Sequence, residues 1–153
     1  AYEIASCLVG SEMCIRDSLF DMINTKVGED RLVFLVHGGV DTEDRERARE
    51  IAETTNNSII VASYGTFSTG INIRNLHNVV FASPSKSKIR NLQSIGRVLR
   101  KGDHKTKAVL YDIADDISTA TKRNYTLNHL TERVKIYNEE NFDYEFIDVR
   151  IRD

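Results

Sequence analysis

Short continuous apolar runs alternate along this chain with amphipathic stretches, and few folds accept that pattern. Leu32-Val33-Phe34-Leu35-Val36 is apolar throughout and stops sharply at His37-Gly38-Gly39. Ser58 to Ala62, Val79 to Ala82 and Lys107 to Ile113 repeat the design. Such runs are of strand length and lack the alternation of a half-buried strand, so they read as strands covered on both faces. Between them lie segments with apolar residues three and four apart. Ser18 to Val27 carries Leu19, Phe20, Ile23 and Val27, and the stretch from Asp41 or Thr42 to Thr54 carries Ala48, Ile51 and Ala52. Ile89 to Leu99 and Thr119 to Glu140 repeat that spacing, the latter with Leu127, Leu130, Val134 and Tyr137 as its apolar row. Strands alternating with helices predict an α/β domain, a parallel sheet with helices on both faces. Tyr144 to Ile151 alternates and predicts a terminal strand. In sheets of this kind binding loops gather at the carboxyl ends of the strands, which directs attention to the loops after Val36, Ala62 and Ala82.

Composition narrows the class. The 153 residues suit one domain, 41% are hydrophobic and 29% charged, and no run approaches a membrane-crossing length. The start lacks the basic region of a secretory signal, so a cytoplasmic protein without membrane association is expected. Cys7 and Cys14 show no zinc or disulfide spacing, and the four histidines show no metal-ligand spacing. Net charge is −2, yet Lys86, Lys88, Arg90, Arg97, Arg100, Lys101, Lys105 and Lys107 share their stretch with Asp103 alone among acids. That run is a solvated face or a phosphate-facing patch, and composition does not separate the two.

Two segments carry chemistry. Gln93-Ser94-Ile95-Gly96-Arg97-Val98-Leu99-Arg100 falls on the helix expected over Ile89 to Leu99. Arg97 and Arg100 are three apart, so both guanidiniums leave one helical face, an arrangement suited to a polyphosphate. Taken alone, two solvated surface arginines explain it equally well. Upstream, Val61-Ala62-Ser63-Tyr64-Gly65-Thr66-Phe67-Ser68-Thr69-Gly70-Ile71-Asn72-Ile73 runs from a strand into a loop of glycine and small hydroxyl residues, which can hold phosphates. Gly65 and Gly70 have the glycine spacing of a Walker A loop, but Ile71 stands at the lysine position, so this is not a magnesium-binding P-loop. Tyr111-Asp112 after an apolar run reads as a plain strand end, since no acidic box follows.

In that order and spacing the two segments resemble motifs V and VI of superfamily 2 helicases, and Leu32 to Gly39 resembles the strand and His-Gly turn that precede them. The likeness extends from about Leu19 to the C-terminus and is greatest to the phage UvsW-type DNA helicases. It implies a RecA-like (P-loop NTPase-like) helicase C-terminal domain, a three-layer sandwich truncated at its N-terminus, serving as the second lobe of a two-lobed motor. By that resemblance Arg97 and Arg100 are arginine fingers reaching an ATP whose phosphates and Mg2+ are held mainly by a first lobe. Gly70, Asn72 and Gln93 would sit near the nucleotide; many relatives carry Asp where Asn72 stands. Gly38, Ser63, Tyr64, Gly65 and Thr66 would contact the DNA backbone without reading sequence. Lys86 and Lys88 could add attraction, although solvated lysines read as well, and His37 could join the backbone contacts or be an ordinary turn residue. Without GxxxxGK[ST] or an Asp-Glu box the chain is expected to be inactive alone, part of an ATP-dependent helicase acting on branched recombination, replication and repair intermediates. The alternative is a non-catalytic nucleic-acid-binding module built on the basic 86–107 stretch.

One segment stands apart. Ser6 to Ser18 shows no helix or strand period and resembles a translated sequencing-adapter junction. The expected division is therefore residues 1–18, irregular or non-native, and a domain over 19–153. On this reading the first strand of the lobe is missing or overwritten.

Overall fold

The computed structural model describes residues 7–9, 13–55, 57–63, 65–66, 73, 76–82, 108–116 and 124–150. Among these residues five strands form one parallel sheet: β1 (Cys7–Val9), β2 (Leu32–Val36), β3 (Ser58–Ser63), β4 (Asn78–Phe81) and β5 (Val109–Asp112), in the order β2-β3-β1-β4-β5. Among the described residues three α-helices accompany it: α1 (Met13–Val27), α2 (Thr42–Thr54) and α3 (Tyr125–Glu139).

Alternation along the strands sorts the core into two layers. Phe34, Val36, Ile60, Ala62, Val79, Phe81 and Leu110 point to one face, where Ala48 and Ala52 of α2 and Val134 and Tyr137 of α3 cover them. Val33, Leu35, Val61 and Val80 point to the other, against Leu19, Phe20 and Ile23 of α1. Helices thus flank both faces, as the alternating pattern requires. Strand β3 lies inside the sheet, and Ile59 to Ala62 are at most 4% exposed.

The structure corrects several expectations. Leu32 to Val36 is not a strand buried on both faces: it forms an edge, only Val36 is buried, and Leu32 is 49% exposed. The position of the first strand is not vacant. Cys7–Val9 fills it, paired on one side with Val61 to Ser63 and on the other with Val80 and Phe81. Helix α1 starts at Met13 and runs without interruption past residue 18, so the segment read as irregular holds the middle strand and the first turn of a helix. No strand forms over Tyr144 to Arg150. Among the described residues no strand pairs with it, and Phe146, Ile147 and Val149 are more than 70% exposed. The expected helix over Ile89 to Leu99 lies outside the described residues, as does the start expected for α3 at Thr119.

The helix ends obey local chemistry. Asn124 caps α3, its side-chain oxygen accepting from the Thr126 and Leu127 N–H groups, while its amide donates to the Asp115 carbonyl and to Asp116. At the other end Asn141 takes a left-handed φ of 55°, and Phe142 N–H returns to the Tyr137 carbonyl at 2.9 Å. That closure satisfies a last-turn carbonyl and turns the chain off the helix. Gly28, with φ also 55°, ends α1 in the same conformation. On the outer surface of α2 the Arg49 pKa is raised, chiefly by its hydrogen bond to Glu46 at 2.7 Å.

Candidate functional site

The parallel sheet brings two of the flagged loops together. Strands β2 and β3 are neighbours with Val36 paired to Ala62. His37, one residue past β2, therefore stands at the level of Ser63, the last residue of β3, on the carboxyl edge of the sheet. Gly38 follows on one strand and Gly65 and Thr66 on the other, so four of the residues expected to meet a nucleic-acid backbone share one edge.

Each loop has a defined shape. The Val40 N–H donates to the His37 carbonyl at 3.0 Å, closing a turn, and the Gly39 N–H donates to His37 Nδ1 at 3.0 Å. A Cβ on Gly39 would fall 3.1 Å from His37 Cε1, so glycine lets the imidazole lie against the turn. Around Gly38 and Gly65 a Cβ would meet nothing within 4 Å, and both residues are exposed. A ligand backbone can approach them closely. Past β3, where Gly65 and Thr66 are helical, the Ser63 and Thr66 hydroxyls are 2.9 Å apart. Thr66 is buried and Ser63 half-buried. Two hydroxyls bonded to each other spend one of their two protons. When Thr66 donates, the Ser63 proton is left for an outside acceptor such as a phosphate oxygen.

The remaining residues singled out from the sequence, Tyr64, Gly70, Asn72, Lys86, Lys88, Gln93, Arg97 and Arg100, lie outside the described residues. Ile73 and Leu76, just beyond Asn72, are fully buried in the core that α2 and α3 share. Among the described residues no group of three or more His, Cys, Asp and Glu side chains could hold a metal ion. No described helix is long and apolar enough to cross a membrane.

At the far edge of the sheet stands a cluster that sequence reasoning missed. Asp112 ends β5, and both its oxygens are engaged: Arg133 Nε donates to Oδ2 at 2.7 Å, Arg133 Nη2 to Oδ1 at 2.8 Å, and the Tyr137 hydroxyl to Oδ2 at 2.7 Å. The Arg133 side chain is fully buried and that of Asp112 is 10% exposed. A bidentate guanidinium–carboxylate pair of this kind fixes angle as well as distance. It locks α3 onto β5. The available clue was an arginine one position before Val134, four before Tyr137, within the apolar row of a helix.

A parallel α/β sheet with open, glycine- and hydroxyl-lined loops at the carboxyl edge defines a domain of the RecA-like class. The model of the helicase conserved C-terminal domain matches residues 9–102, and the chain belongs to that family. Over 137 residues, 83% of this chain, it is 44% identical to the ATP-dependent DNA helicase uvsW of Enterobacteria phage T4, of which it covers 27%. The crystal structure of T4 UvsW superposes with a TM-score of 0.65 at 37% identity, over 92% of this chain and 30% of that one. The C-terminal domain of the DEAD-box protein Dbp5 shares the fold, with a TM-score of 0.69 at 16% identity over 91% of this chain and 73% of that one. The chain therefore spans less than a third of the length of the phage relative.

Proposed function

We propose that this chain is the second motor lobe of an ATP-dependent DNA helicase that works on branched recombination, replication and repair intermediates. The observation that carries the proposal is the 44% identity to the phage T4 ATP-dependent DNA helicase over 137 residues, 83% of this chain. The shared carboxyl edge of β2 and β3 supports it. There the open Gly38 and Gly65 backbones and the Ser63–Thr66 hydroxyl pair can follow a sugar-phosphate strand without reading its bases. Tyr64, between Ser63 and Gly65 in the sequence, joins these contacts, and Lys86 and Lys88 add electrostatic attraction.

Arg97 and Arg100 are the arginine fingers. They reach the terminal phosphate of an ATP bound between two lobes, with Gly70, Asn72 and Gln93 beside the nucleotide. ATP and Mg2+ are held mainly by the first lobe, because this sequence carries no GxxxxGK[ST]. The nucleotide supplies the phosphoryl group whose hydrolysis drives the motor. The chain's own part is to place positive charge against the developing phosphoryl charge and to grip the DNA strand while the cleft opens and closes. We propose further that residues 1–18 are not native sequence, and that Cys7–Val9 takes the place of an overwritten first strand; the likeness of Ser6 to Ser18 to an adapter junction supports this, and resequencing the source DNA checks it.

Phosphate release from ATP, with and without single-stranded DNA, tests the motor reading on the chain itself. Turnover at background is expected. DNA-stimulated turnover by the chain alone contradicts the division of labour between lobes.

A further inference from the structure

We propose that His37 is a nucleic-acid ligand of this lobe, donating a hydrogen bond from Nε2 to a phosphate oxygen of the bound strand; this rests on the reading of the β2–β3 edge as a DNA interface. Three observations lead to it. First, Nδ1 of His37 accepts the Gly39 N–H at 3.0 Å. A neutral imidazole has one acceptor and one donor nitrogen. With Nδ1 accepting, the ring proton is carried by Nε2, the nitrogen that the Gly39 N–H does not engage. Second, the ring is held. A Cβ at residue 39 would come within 3.1 Å of Cε1 and 3.2 Å of Nδ1, so the imidazole lies close against the turn at Gly39. Little orientational freedom remains to be lost when a ligand binds. Third, His37 stands beside Ser63 through the Val36–Ala62 pairing, and its Nε2 has no hydrogen-bond partner among the described residues. The Nε2–H donor and the Ser63 hydroxyl thus face one strand from adjacent β-strands, suited to neighbouring oxygens of a phosphodiester chain.

Long-range proton–nitrogen spectra of the 153-residue chain, with and without oligodeoxythymidylate, test the assignment. The Nε2–H tautomer is expected in the free protein, and the His37 ring signals are expected to shift with the amides of Gly38 and Ser63 as DNA is added. A free protein with the proton on Nδ1 overturns the proposal. Gly38 and Ser63 shifts with an unmoved His37 ring also overturn it, while leaving the edge as a DNA interface. An edge silent throughout overturns both. Two variants separate the ring's two duties. His37→Asn keeps an acceptor near the Nδ1 position and loses the outer donor; His37→Gln places a donor near the Nε2 position. DNA affinity should fall roughly tenfold in His37→Asn and be largely restored in His37→Gln, as befits loss of one bond to a charged group. Equal affinities in His37→Asn and the unaltered chain assign His37 to the turn alone.

Discussion

The most demanding residue in this molecule is Arg133, a guanidinium with no exposed surface whose charge is met by a single carboxylate. Removing one member of such a pair strands the other in a poorly solvated place, whereas removing both leaves no uncompensated charge. Arg133→Met is therefore expected to cost about 3–5 kcal/mol in urea unfolding, and Arg133→Met with Asp112→Asn clearly less than the sum of the two single changes. Additive losses contradict the coupling. Nothing in the sequence announced this pair. Its members are 21 residues apart, a separation with no periodic signature, and Asp112 looked like a plain strand end. The residues proposed to meet a nucleic-acid backbone were easier to single out. Glycines and hydroxyls clustered after apolar runs declare a binding loop, and the fold places Gly38, Ser63, Gly65 and Thr66 on one edge. What spacing could not supply was the hydrogen bond from Gly39 to His37, which fixes the imidazole's role in the turn.

Among the elements, the interior strand β3 was legible to within one residue, because a strand covered on both faces must be apolar throughout. The same rule misread β2. An apolar run does not say how many neighbours a strand has, and β2 has one. Strand β1 escaped notice because three residues are too few to show any period, and its place in the sheet comes from pairing with distant segments. The strand expected from Tyr144 onward went wrong in the opposite sense: Tyr144 to Arg150 has alternation but no partner strand among the described residues. Each case yields a test. Deleting residues 1–18 removes the strand between β3 and β4, and cooperative thermal unfolding by circular dichroism should be lost. A shortened chain that unfolds at the same temperature contradicts the central placement of β1. Phe146→Ser and Ile147→Ser should each change stability by no more than about 0.5 kcal/mol, as at other exposed positions, while Phe81→Ala should cost about 3–5 kcal/mol. Comparable losses at Phe146 and Phe81 would mean that the C-terminal segment packs on the core.

For the molecule as a whole, the alternating pattern was sufficient to state the class, and the family match over residues 9–102 bears it out. The reason is physical. A parallel sheet needs crossover helices, and covering both of its faces imprints two periodicities on one chain. In the proposed motor, Arg97 and Arg100 act on a nucleotide held mainly by another lobe. The most direct test of that role is steady-state ATP hydrolysis by a protein carrying both lobes, comparing the unaltered form with Arg97→Ala at saturating DNA. The account predicts a fall of roughly 10³-fold or more in turnover with DNA affinity essentially unchanged. Turnover within a few-fold of the unaltered protein would contradict it.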